Sequence, residues 1–145
     1  MAKDGLLGKD LSITYIRRGG APFRLETDKF DEEMKTDEKT KHPIGEPSEH
    51  SKTIIKGWEL SVEGEVVDTI PDDLMYEIEQ AYNNGKPMPE IEVTTEEVYE
   101  DGTIRKWRFY SQGGVRISGY KKTAAGGADA RKWSFKITAQ KRERI

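Results

Sequence analysis

The sequence predicts a mainly β fold, a small sandwich or barrel of seven or eight strands with one flanking α-helix. Three observations carry this expectation. From His50 to Val67 the chain alternates apolar and polar residues, the period-two pattern of a half-buried strand. Only one stretch, Pro71 to Asn83, has helical spacing together with a start and a stop. Everywhere else, short alternating segments are separated by Gly-centred turns.

In the long strand, Ile54, Trp58, Leu60, Val62 and Val66 fall on one face, and Gly57, Glu59, Ser61, Glu63 and Glu65 on the other. What precedes it is different in kind. From Asp28 to Glu49 the chain is almost wholly polar, with Lys and acidic residues interleaved and two prolines near its end. Residues 28–67 therefore read as a long β-hairpin arm with its loop. Phe30 and Met34 are the only large apolar residues in the first part of that arm, so little holds it in place unless a further surface covers it.

The other elements follow in order. Leu11, Ile13 and Tyr15 alternate with Ser12 and Thr14, and the turn Arg17-Arg18-Gly19-Gly20 predicts a hairpin to a second strand begun by Phe23 and Leu25. The helix over 71–83 has Pro71 in its first turn and Asp72 and Asp73 where the helix dipole favours anions. Leu74, Met75, Ile78, Ala81 and Tyr82 recur at helical spacing, and Asn84-Gly85 and then Pro87 close it. Ile91–Tyr99 and Thr103–Ser111 flank Asp101-Gly102, and a two-residue loop there sets Glu97 opposite Lys106. A short strand holds Val115, Ile117 and Gly119, and residues 121–130, with Ala-Ala-Gly-Gly-Ala, read as a flexible exposed loop. The last strand sets Trp133, Phe135, Ile137 and Ala139 against Lys132, Ser134, Lys136 and Thr138. Trp58, Leu60, Val62, Trp133, Phe135 and Ile137 are the candidate core.

A chain of 145 residues suits a single domain spanning 1–145. Hydrophobic residues make up 34% and charged residues 35%, so the core is small and much surface is polar or held for a partner. The net charge of −3 argues against a general nucleic-acid binder. Acidic residues dominate from Asp28 to Asp101, whereas Arg105 to Arg144 is basic. With no cysteine there is no disulfide and no thiolate chemistry. Neither a signal peptide nor a membrane-spanning run is expected, which places synthesis and assembly in the cytoplasm, without membrane anchoring.

The residues that could do chemistry are few and badly spaced for it. His42 and His50 lie eight apart in the arm and match neither a zinc finger nor a helical metal pair. Asp31, Glu32 and Glu33 fit no calcium loop, and the Gly-Gly pairs lack the context of a phosphate loop. The expectation is a non-enzymatic protein with no catalytic residues, metal or cofactor. Two basic groups, Arg105, Lys106 and Arg108 with Tyr110, and Lys121, Lys122, Arg131 and Lys132, keep open the alternative of a barrel that binds single-stranded nucleic acid.

The polar arm KTDEKTKHPIGEPSEHSKTIIKGWELSVEGEV, then a short helix, then a paired-strand half ending in WSFKITAQKRERI, resembles the tail tube proteins of contractile-tailed phages and related contractile injection systems. The shared pattern is a charged strand, Gly45 in the loop, His50 and Lys52-Thr53 at the return, Gly57 and then an aliphatic strand, within a likeness running from Leu11 to Ile137. The resemblance implies a structural virion protein of the tail. Its subunits form homohexameric rings stacked into a hollow tube, each giving its long hairpin to an inter-subunit barrel, with sheath and baseplate proteins as partners. A baseplate tube initiator is the close alternative. On this reading Asp31, Glu33, Glu59, Ser61 and Glu63 face the lumen, where acidic residues let DNA pass without specific binding. Phe30, Met34, Ile44, Gly45 and His50 belong to the inter-subunit arm and loop.

Overall fold

The structure, a computed structural model, describes residues 11–25, 27–41, 50–124 and 131–145. Within them the chain forms β1 (Leu11–Arg17), β2 (Lys29–Lys41), β3 (His50–Glu65), α1 (Ile70–Asn83), β4 (Ile91–Val98), β5 (Ile104–Tyr110), β6 (Arg116–Thr123), β7 (Lys132–Ala139) and β8 (Lys141–Arg144). The fold is thus mainly β with a single helix among the described residues. Two four-stranded antiparallel sheets result, the first in the order β1-β4-β5-β8 and the second in the order β2-β3-β7-β6. No helix among the described residues is long and apolar enough to cross a membrane.

The core lies where the inward faces of the two sheets meet. Tyr15, Ile91, Val93 and Phe109 come from the first sheet, and Leu60, Val62, Trp133, Phe135 and Ile137 from the second, each 2% exposed or less. Burial of this alternating set drives the sandwich, each large apolar side chain contributing roughly 1.5–3 kcal/mol on leaving water. Trp58 is only half-buried and meets Phe109 edge-on at 5.9 Å between ring centres. Helix α1 covers one flank with Pro71, Leu74 and Ala81. Tyr82 does not join them. It lies roughly 80° around the helix axis from Leu74, on the shoulder of the apolar stripe, and its ring remains 76% exposed.

Several local expectations shift. Phe23 meets Tyr15 in one antiparallel bridge, with their rings stacked 5.3 Å apart, but no second strand forms and β1 pairs with β4 instead. The β4–β5 turn is one residue longer than expected. Tyr99 and Thr103 close it, Gly102 takes the left-handed position at φ +88, and Glu97 faces Arg105 while Lys106 faces Glu96. The expected loop over 121–130 begins later, because β6 continues through Thr123 opposite Lys132. An irregularity between Ser118 and Lys121, with Gly119 at φ +67, re-registers the strand and hides its continuation from a period-two reading.

A second irregularity lies in the arm. Lys35 pairs with Gly57 and Thr36 with Ile55, so Lys56 is an extra residue in β3. Beyond it the faces exchange: Ile54, expected beside Trp58, lies opposite Asp37 on the outer face, and Ile55 takes the inner side. Gly57 sits at this junction with φ +138, and a Cβ there would lie 2.6 Å from the carbonyl oxygen of Ala139, where β7 ends. We therefore expect Gly57→Ala to cost roughly 1–3 kcal/mol from backbone strain, with the clash adding to it. Gly85→Ala, at φ +66 in open space, should cost less. Denaturant titrations of both variants test this, and equal losses would show that the Ala139 crossing does not restrict the site.

Candidate assembly interface

Pairing between β3 and β7 runs only from Trp58 to Glu65. The far half of the hairpin, residues 36–41 with 50–56, therefore stands as a two-stranded ribbon with no third strand paired to it among the described residues. Such a ribbon is marginal in water by itself. Its inner side carries Ile55, 61% exposed, and Met34, opposite Trp58 at the base of the ribbon, is 44% exposed, so apolar surface is left uncovered there. Phe30, opposite Val62 at the start of the arm, packs partly buried against the core of its own chain. His50 opens β3 opposite Lys41, whereas Ile44 and Gly45 lie outside the described residues.

Where β2, β3, β7 and β6 lie side by side, the outward face of the second sheet carries polar side chains. Asp31 pairs with Ser61 and Glu33 with Glu59, and Glu63 lies opposite Lys29, so the five residues proposed for the lumen share this face. It is two-signed rather than acidic. Lys29 and Lys35 lie among the acids of β2, and Lys35 meets Glu33 at 3.1 Å and Glu59 at 3.7 Å; the hydrogen bond to Glu33, then the charges of the two carboxylates, hold its ammonium above the ordinary range. On the same face β7 presents Lys132 and Lys136, and β6 presents Arg116 and Lys121, with serines and threonines between them. The β7 lysines are legible from alternation alone. Lys121 is not, because the Gly119 irregularity decides which way it points.

Toward the core side, one cation closes the open end of the sandwich. The Arg142 guanidinium, carried by β8, lies 3.9 Å from the Trp58 ring centre and 3.8 Å from that of Trp107, one ring from each sheet. Its counter-ion is Glu32 at 3.5 Å, and both side chains are about three-quarters covered. Burial, and then the charge of Glu97, push the Glu32 carboxyl up, and Arg142 offsets this only in part. At the helix, Asp72 receives Lys122 at 2.9 Å and Tyr120 at 3.2 Å, which holds its carboxyl low.

The groups offered for nucleic-acid stacking are dispersed. Arg108 is bound by Glu92 at 2.7 Å and Glu143 at 2.9 Å, Lys106 by Glu96 at 3.9 Å and Lys122 by Asp72. Trp133 is buried, and Trp58 and Trp107 flank Arg142 between the sheets. Among the described residues no cluster of three or more His, Cys, Asp or Glu could hold a metal ion. The arrangement offers extended edges and a charged face for another protein surface.

Glu32 gives a test with a definite sign. Its folded-state pKa is raised, so the stability it contributes is present below the unfolded value, about 4.3, and is lost as pH rises through the folded one. Glu32→Gln, neutral throughout, should therefore gain on the wild type as pH climbs through the carboxylate range. Denaturant midpoints at several pH values read this out. A Gln variant that loses ground with rising pH would mean that the Arg142 pairing outweighs the burial cost.

No protein-family model matches the chain, and no curated protein matches it by sequence. Solved structures match it in fold. A chain from the anti-feeding prophage tube terminating cap gives a TM-score of 0.63 at 7% identity, over 100% of this chain and 94% of its own length. A chain from the 6-fold symmetrised anti-feeding prophage baseplate gives 0.60 at 11%, over 100% and 97%. One from the sheath/tube terminator of the extracellular contractile injection system PVC, in its extended state, gives 0.57 at 11%, over 92% of each chain. At these identities the shared property is the fold, which is that of components of contractile injection systems.

Proposed function

We propose that this chain is a structural, non-enzymatic subunit of the hollow tube of a contractile tail or injection apparatus, assembled as homohexameric rings that stack around a channel. The observation that carries the reading is a fold shared from end to end with a chain of a tube terminating cap and a chain of a baseplate, together with an arm that extends beyond the strand covering it. The 6-fold symmetry belongs to the baseplate assembly in which one matching chain was solved, and it supports six copies here. The four-stranded second sheet faces the channel, and the ribbon of β2 and β3 meets neighbouring subunits. Sheath and baseplate proteins are the further partners, and a genome or other cargo passes through the lumen.

Edge accounting supports this. Among the described residues β2 is an edge strand of 13 residues, longer than the body it belongs to, and soluble proteins rarely leave such an edge uncovered. Joining copies through these edges into a closed barrel removes them. A terminating cap or a baseplate initiator is a related reading, favoured by the cap and baseplate chains among the matches, and it differs in where along the tube the ring sits.

Negative-stain microscopy of the purified protein over a range of concentrations tests the proposal. Rings or tubes with a central hole are expected, and amide exchange should slow at residues 36–41 and 50–56 as they form. A monomer at every concentration, with those amides already protected, would rule the reading out.

A further inference from the structure

The chain has two asparagines, Asn83 and Asn84, adjacent at the end of α1, and Asn84 is followed by Gly85. An asparagine before a glycine is open to attack by the main chain on its own side chain, because the next residue has no Cβ to shield its nitrogen. Local structure decides whether the attack proceeds. Asn83 belongs to the helix, and the nitrogen that would attack it, that of Asn84, donates to the Gln80 carbonyl at 3.0 Å. Asn84 is the exposed C-cap, and the nitrogen that would attack it, that of Gly85, donates to the Tyr82 carbonyl at a long 3.4 Å. Its own side-chain amide donates to Gln80 Oε1, also at 3.4 Å. Gly85 stands in open space with φ +66.

Two pairs that look similar in the sequence are held differently. The Gly102 N–H donates to the Tyr99 carbonyl at 2.9 Å, and the Asp101 carboxylate accepts the Thr103 N–H at 2.9 Å. Hydrogen bonds from Thr103, side chain first and then backbone, hold the Asp101 carboxyl below its usual range, and an ionised carboxylate is a poor target for a nucleophile. Gln112 precedes Gly113, but its side chain is one methylene longer and must close a larger ring.

We infer that Asn84 is a site of spontaneous deamidation, with water as the co-reactant, independently of the tube reading. At ψ 6 the Gly85 nitrogen is turned away from the Asn84 side chain, so fraying of the last helical turn sets the pace. Once turned, that nitrogen gives its proton to solvent base and forms a bond to Asn84 Cγ. The bond from Cγ to Nδ2 breaks, and Nδ2 takes up a proton and leaves as ammonia. One water then opens the cyclic imide. Addition at Cγ gives aspartate, and addition at the main-chain carbonyl gives isoaspartate, whose chain path is one methylene longer; no atom is oxidised or reduced. Either product adds a negative charge to the chain's −3, at the negative end of the helix dipole, where the last turn has no basic residue. Isoaspartate also disturbs the closing bond from the Lys86 N–H to the carbonyl of buried Ala81, 2.8 Å long.

Storage of the purified chain in mildly alkaline buffer, sampled over time, tests this. Peptide mass spectrometry should find the change from amide to acid at Asn84, with isoaspartate among the products, before any change at Asn83. Ion exchange should resolve a growing population that is one charge more acidic. Asn84→Gln and Gly85→Ala should each slow that growth several-fold, and in Asn84→Asp the Lys86 amide should exchange faster than in the wild type. Conversion at Asn83 ahead of Asn84, or isoaspartate appearing first at Asp101, would overturn the inference. So would an Asn84 still intact when a free peptide of the same local sequence has converted fully, or a Gly85→Ala chain that ages as fast as the wild type.

Discussion

Strand β3 has 16 residues and its neighbour β7 has 8, so a strand twice as long as its cover must leave half of itself outside the sandwich. Much of the architecture is a response to that mismatch. Where cover ends, the chain places the extra residue Lys56 and the glycine whose Cβ the Ala139 carbonyl would exclude. At the same point the C-terminal strand leaves the second sheet for the first. Ser111 accepts the Gln140 amide at 2.8 Å, and β8 then carries Arg142 back between Trp58 and Trp107. A glycine, a sheet change and a cation between two indoles together mark the boundary between a packed body and a projecting arm.

How much of this was legible in the sequence depended on whether a residue answers to its neighbours in the chain or in space. The inward residues of β3 and β7 follow strict alternation, and so Leu60, Val62, Trp133, Phe135 and Ile137 could be read from the period alone. Both breaks in that period escaped notice. Lys56 carries no mark of being an extra residue, and Gly119 looks like an ordinary turn glycine until its strand is seen to continue through Thr123. Glu32, Trp58, Trp107 and Arg142 are brought together from four different strands, a contact that no local pattern announces.

The outer face shows the same division. Acidic residues of the arm were visible as composition, and an acidic channel followed naturally from them. The cations that share the face come from strands far along the chain, and only sheet order places Lys136 opposite Ser61, two positions from Glu59 and Glu63. Net charge over a segment is a poor guide to the charge of a sheet face, because a sheet gathers alternate residues from strands remote in sequence.

The short ladder between β3 and β7 also has a mechanical side. The arm is the far end of β3 itself, and nothing hinges between it and the body except the turn of the chain at Gly57. A pull on the arm therefore travels along β3 and loads its pairing with β7 lengthwise, from Trp58 to Glu65. Bonds loaded in that direction share the force and yield together, whereas a pull across the sheet would peel them one by one. The uncovered strand that gives the molecule its reach is thus anchored in shear, the orientation in which a few hydrogen bonds resist most.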